Sequence, residues 1–158
     1  MSTVLRIVEV NDIPDWMNLS HEYDQYVEQI GGDLEIWYGG NDKDTSFSDY
    51  MTAKIVKHEA VMVTDDKNMQ CFGVIAFSRK HNRITFFAIS HTHDFETSGN
   101  LLIEYALSEL DVSRKVIVNI MQCTDNHLSM QRKLFQAHGF QKCGSDFENG
   151  VPVDVYFR

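Results

Sequence analysis

Between residues 22 and 38 the chain crowds acids and aromatic rings: Glu22, Tyr23, Asp24, Tyr26, Glu28, Asp33, Glu35, Trp37 and Tyr38. Carboxylates beside ring faces can hold a cation through charge-assisted hydrogen bonds and the ring quadrupole. Glu22, Trp37 and Tyr38 are therefore candidate contacts for a cationic ligand. The same residues also read as a core cap and a solvated face, and both readings stay open. His91 and His93 form a His-x-His pair whose rings could reach one ion. No third ligand accompanies them, so no metal is expected. Cys123 follows an apolar run with no base in view to activate it as a nucleophile, and it reads as a small buried side chain.

The spacing of apolar residues predicts the elements that must position these groups. Residues 4–10 alternate as a first strand, and Asn11-Asp12-Ile13-Pro14 reads as a helix start. Trp16, Leu19, Tyr23, Tyr26, Val27 and Ile30 recur at helical spacing up to Gly31-Gly32, which predicts one helix. Residues 33–45 read as an exposed loop, and residues 47–58 as a second helix capped by Ser46. Strands follow at 60–64, 71–78 and 84–90, the last two joined at a His81-Asn82 turn. Leu101, Leu102, Tyr105, Ala106 and Leu110 share one face of a helix starting near Thr97. Residues 116–121 have the β-branched content of a buried strand. A helix capped by Asp125 or Asn126 then runs to Gly139. Phe140 opens a strand, and an Asn149-Gly150 turn leads into the last one, 151–157. The order is β-α-α-β-β-β-α-β-α-β-β. It predicts an α/β fold with a mixed sheet and helices on both faces. The helix between the strands at 84–90 and 116–121 permits a right-handed crossover, so the two are expected to run parallel.

Composition narrows the class. At 158 residues, 43% of them hydrophobic, the chain fits one domain over residues 1–158. A net charge of −9 argues against nucleic acid, whose binders need a basic face. It mildly favours a cationic partner. No apolar run approaches the roughly 20 residues that span a bilayer, so no membrane partner is expected. The first residues, MSTVLRIVEV, lack a secretory apolar core. Three cysteines in no metal or disulfide spacing point to a reduced, cytoplasmic setting.

The phrase Asn126-His127-Leu128-Ser129, continued by Lys133-Leu134-Phe135-Gln136-Ala137-His138-Gly139-Phe140, resembles the carboxy-terminal signature of the GNAT acetyltransferase superfamily. The element order above is also that family's, over the whole chain, and the resemblance implies that the parallel strands at 84–90 and 116–121 splay apart at their carboxy-terminal ends. The resemblance implies acetyl transfer from acetyl-coenzyme A to a primary amine of a small molecule or peptide. A GNAT-fold binding module without catalysis is the alternative, and a homodimer is compatible with either. The family's diphosphate loop reads Arg or Gln, x, x, Gly, x, Gly or Ala. The corresponding stretch here runs through His93, Asp94, Phe95, Glu96, Thr97, Ser98 and Gly99 to the paired Leu101-Leu102. Only Ser98, Gly99 and the leucines keep the pattern, and Glu96 stands at its first Gly. The small pair is expected to let backbone N–H groups approach the diphosphate. By the same resemblance, backbone N–H groups at Ala88, Ile89 and Ser90 would stabilise the thioester oxyanion. Asn126 and Ser129 would lie by the pantetheine arm. Phe135 stands where the family commonly has the Tyr that protonates the leaving thiolate.

Overall fold

The computed structural model describes residues 3–37, 43–67, 70–91 and 94–158. Strand β1 (Thr3–Ile7) leads through a 3-10 turn into helices α1 (Ile13–His21), α2 (Asp24–Gln29), α3 (Leu34–Trp37) and α4 (Lys43–Val56). Strands β2 (Ala60–Asp65), β3 (Cys71–Ser78) and β4 (Arg83–Ile89) follow. The chain closes with α5 (Phe95–Glu109), β5 (Ile117–Met121), α6 (Asn126–Ala137), β6 (Gln141–Glu148) and β7 (Val151–Phe157). The strands form one sheet in the order β1-β2-β3-β4-β5-β7-β6.

Alternation along the central strands divides the core into two layers. Val61, Val63, Ile75, Phe77, Phe87 and Ile89 face α5 and α6, where Leu102, Ile103 and Phe135 are fully buried. Ala60, Met62, Val74, Ala76 and Ala88 face the other way, onto Trp16, Leu19, Tyr23, Tyr26 and Met51. Period-2 patterning places each set on its own face. Among the described residues, no helix is long and apolar enough to cross a membrane.

The feature that makes a site is the β4–β5 pair. The two strands run parallel, as expected, and pair only at Arg83↔Ile117 and Ile84↔Val118. Beyond that point they separate. Asn82, in a left-handed conformation (φ 52°) at the start of β4, pins the closed end. Its side-chain amide donates to the carbonyls of Asp111 and Lys115 and accepts from the Asp111 N–H. That ties the α5–β5 connection to the β3–β4 turn. At the open end, backbone groups without ladder partners must find others. Arg132 of α6 donates to the carbonyls of Met121 and Cys123 on the β5 side. Tyr23 and His127 take the backbone of Ile89 on the β4 side.

Several boundaries differ from the sequence expectation. The first long helix is two helices. The amides of Glu22 and Tyr23 bond to the carbonyls three residues back, Leu19 and Ser20, and this tightened turn separates α1 from α2. Apolar spacing is nearly the same across such a turn, so the break leaves no mark in the pattern. Residues 34–37, expected in a loop, form α3, and α4 begins at Lys43 rather than at 47. Helix α5 begins at Phe95, two residues before the expected start. Its N-cap is Asp94, whose carboxylate accepts from the Thr97 N–H at 3.2 Å and from the Thr97 hydroxyl at 2.7 Å.

Candidate active site

The side chains that converge on the open end of β4 come from three elements. Tyr23, at the α1–α2 junction, places its hydroxyl 3.0 Å from the Ile89 nitrogen and 3.2 Å from the Ile89 carbonyl oxygen. His127, in the first turn of α6, brings Nε2 to 2.7 Å from the Tyr23 hydroxyl and 3.0 Å from the same carbonyl. In one tautomer Nε2 donates to the carbonyl, and in the other it accepts from the phenol. Asp125 caps α6 by accepting from the His127 N–H at 2.9 Å, which fixes that residue's place. Behind this pair, the His91 ring stacks on His127 with centroids 4.0 Å apart. His91 Nδ1 lies 3.0 Å from Glu22 Oε1, and its Nε2 meets the Tyr26 hydroxyl.

Burial sets the charge state of these groups. It pushes the Tyr23 and Tyr26 phenols up, so both stay protonated over the physiological range. Burial, and then the neighbouring His91, pull His127 below the ordinary histidine value, which keeps its ring neutral near pH 7. A protonated phenol is a hydrogen-bond donor and a neutral imidazole is a proton acceptor. Both sit beside one backbone amide.

Hollows open on either side of this cluster. One, of about 110 Å³, lies in the splay and is lined by Tyr23, Asp24, Trp37, Phe47, Phe86 and Glu148 among others. It shares Trp37, Phe47, Phe86 and Glu148 with an outer hollow of about 310 Å³ that also reaches Tyr50 and Asn149. Burial raises the Glu148 carboxyl above its usual range, against the opposing pull of Arg83 and a hydrogen bond from Asn119. On the α5–α6 side, Ser90, His91, Phe95, Asn126, His127 and Met130 line a hollow of about 270 Å³. It shares Phe95 and Met130 with a groove of about 350 Å³ that passes Glu96, Asn100, Lys133 and Ala137. Tyr23 faces the first hollow and His127 the third, and the two side chains are hydrogen-bonded to each other.

The residues expected from the sequence fall into distinct groups. Ile89 is the strand amide that points into the splay. The Ser90 amide does not, because it donates to the Phe72 carbonyl at 2.8 Å, and Ala88 is paired with Val74 in the ladder. Amides alternate in direction along a strand, so Ser90 cannot serve as an oxyanion donor while β3 and β4 stay paired. Asn126 and Phe95 line the hollow on the α5–α6 side, whereas Ser129 is not among its lining residues. Ser98 and Gly99 are core residues, not a diphosphate cradle. Ser98 has no exposed surface. A Cβ on Gly99 would fall 2.1 Å from Leu134 Cδ2 and 3.2 Å from Ile89 Cδ1, so the glycine is there for α5–α6 packing. The early helix start turns both residues inward. Ser98→Leu is therefore expected to destabilise by about 1–3 kcal/mol through overpacking, read by urea unfolding. A folded variant with selective loss of coenzyme A affinity would restore the loop reading.

Phe135 is likewise core. Its ring has no exposed surface and packs edge-on against Phe87 (4.9 Å) and Phe140 (5.3 Å), away from either hollow. Glu22 pairs with His91, while Trp37 lines both the hollow in the splay and the outer one. Tyr38 and His93 lie outside the described residues. The sequence reading places Tyr23 and Tyr26 only within the acidic, aromatic stretch and His91 only in a His-x-His pair, and it gives His127 no role of its own. Tyr23 and Tyr26 are three residues apart and His127 follows Asn126, a signal that core packing explains equally well. Among the described residues, no group of three His, Cys, Asp or Glu side chains is placed to hold a metal ion.

No protein-family model matches this sequence, and no curated sequence does either. Solved structures do match. The PaiA N-acetyltransferase of Thermoplasma acidophilum, in complex with coenzyme A, is 12% identical. It superposes with a TM-score of 0.74 over 100% of this chain and 99% of its own. This chain has the GNAT acetyltransferase fold. A GNAT-family acetyltransferase from Bacillus cereus is 17% identical, with a TM-score of 0.66, over 100% of this chain and 97% of that one. A phosphinothricin acetyltransferase from Sinorhizobium meliloti, in complex with AcCoA, gives 15% and 0.70, over 100% and 88%. In this GNAT-fold chain the open β4–β5 end and its Tyr23–His127 pair make up the candidate active site.

Proposed function

We propose that this protein transfers the acetyl group of acetyl-coenzyme A to a primary amine of a small molecule or peptide, with an acceptor that is cationic in solution. The observation that carries this reading is the meeting of two hollows at the Tyr23–His127 pair. One hollow has room for a thioester-bearing arm between α5 and α6. The other offers rings and two carboxylates, Asp24 and Glu148, to an ammonium group. Acetyl-coenzyme A supplies an activated thioester. Phe95, Met130 and Asn126 would border its pantetheine arm. The first-turn amides of Phe95 and Glu96 have no intrahelical partner, and with Lys133 they would face the diphosphate.

The chain's own contribution is to dehydrate, orient and manage protons. The amine must lose a proton for its nitrogen to bond the carbonyl carbon as the carbon–sulfur bond breaks. His127, held neutral with its Nε2–H on the Ile89 carbonyl, accepts that proton at Nδ1, directly or through one water. A thiol of about pKa 8.5 is a good enough leaving group to depart as thiolate without a dedicated acid, so the core position of Phe135 does not forbid turnover.

A second reading, a GNAT-fold binding module without catalysis, draws support from one place. Asp94 and Glu96 put two carboxylates at the amino terminus of α5, where a diphosphate would be repelled. Thermal unfolding with and without acetyl-coenzyme A tests the shared premise. Binding to the folded state should stabilise it by about 2.7 kcal/mol at a hundredfold excess over Kd. An unmoved Tm at millimolar ligand would remove coenzyme A from both readings.

A further inference from the structure

The backbone amide that should receive the thioester oxygen is already taken. Ile89 donates its N–H to the Tyr23 hydroxyl at 3.0 Å, and Tyr23 in turn donates to the Ile89 carbonyl or to His127. A bound thioester has two options: displace the phenol, or accept from it. The second needs far less movement. The Tyr23 ring is buried and wedged edge-on against Tyr26 at 5.4 Å and His127 at 5.4 Å, so swinging it out would break the α1–α2 junction away from the sheet. Redirecting its hydrogen takes only rotation about the C–O bond. His127 makes that rotation possible. With its proton on Nε2 it satisfies the Ile89 carbonyl, and the phenol hydrogen is released.

Resting on the acyl-transfer reading above, we infer that the Tyr23 hydroxyl, polarised by the Ile89 N–H, donates the hydrogen bond that stabilises the thioester oxyanion. The amide acts through the phenol. As the amine nitrogen bonds to the carbonyl carbon, the carbonyl electron pair moves onto oxygen, where Tyr23 meets it. When the carbon–sulfur bond breaks, that pair returns and the thiolate leaves. Tyr23 keeps its proton throughout. A phenol held protonated by burial suits this donor role and is poorly suited to give its proton away.

The test compares acetyl-coenzyme A with S-ethyl-coenzyme A, a thioether of similar size without the carbonyl, in the wild type and in Tyr23→Phe. One hydrogen bond predicts a roughly 2- to 12-fold preference of the wild type for the thioester. Tyr23→Phe should abolish that preference and leave affinity for coenzyme A itself unchanged. It should also lower kcat by about 10²–10³ without raising KM for the amine. Tighter thioester binding or faster turnover in Tyr23→Phe would show that Tyr23 plugs the amide, and would overturn the inference. Equal wild-type affinity for both ligands overturns it while leaving the acyl-transfer reading standing, and this needs no variant to fold. Binding of neither ligand removes the acyl-transfer reading, and the inference with it.

Discussion

Phe135→Ala is expected to lower stability by about 3–5 kcal/mol, and Phe135→Tyr by about 1–3 kcal/mol, with no gain in turnover from the restored hydroxyl. The ring is fully buried between Phe87 and Phe140. Truncation leaves a cavity that close packing cannot refill. The tyrosine instead carries an O–H into an apolar layer that offers it no partner. Denaturant unfolding reads both changes, and kcat of the folded fraction reads the third. A faster Phe135→Tyr enzyme would mean that the ring reaches the thioester and that α6 sits differently against β4.

His127→Gln is expected to reduce kcat by about 10²–10⁴-fold. The amide keeps a donor for the Ile89 carbonyl but accepts no proton. In the wild type, activity should fall on acidification with a midpoint below pH 6.5, because burial and His91 favour the neutral ring. Linkage gives stability the same direction. The unfolded chain binds the His127 proton more readily, so this group's contribution is complete above about pH 6.5 and is lost as pH falls toward the depressed folded value. An activity limb above pH 7 that survives in His127→Gln would assign the base to another group.

Most of the scaffold was legible in the sequence because binary patterning and turn chemistry determine it. The β-branched run at 116–121, Gly139 and the Asn149-Gly150 turn each have one physical reading. In the structure Gly139 and both turn residues take positive φ. The helix joining two buried strands makes the parallel pairing legible, whereas their divergence is legible only through the family resemblance. What the pattern could not carry is phase. The pattern puts Asp94 in a loop, whereas it caps α5 two residues early, so that Ser98 and Gly99 lie past the free first turn and are buried in the core. The site itself was nearly silent. Tyr23, His91 and His127 come from three elements up to 104 positions apart, and each alone reads as a satisfied polar residue. Only the open end of the sheet, with backbone groups in need of partners, gives them a common purpose.

The most direct test of the central claim is release of coenzyme A from acetyl-coenzyme A over a panel of amines, with neutral and anionic acceptors as controls. Acyl transfer at the Tyr23–His127 pair predicts amine-dependent release, faster with acceptors that are cationic in solution and lost in His127→Gln. Protein that binds acetyl-coenzyme A yet releases no thiol with any acceptor would contradict it, and would make this a GNAT-fold binding module.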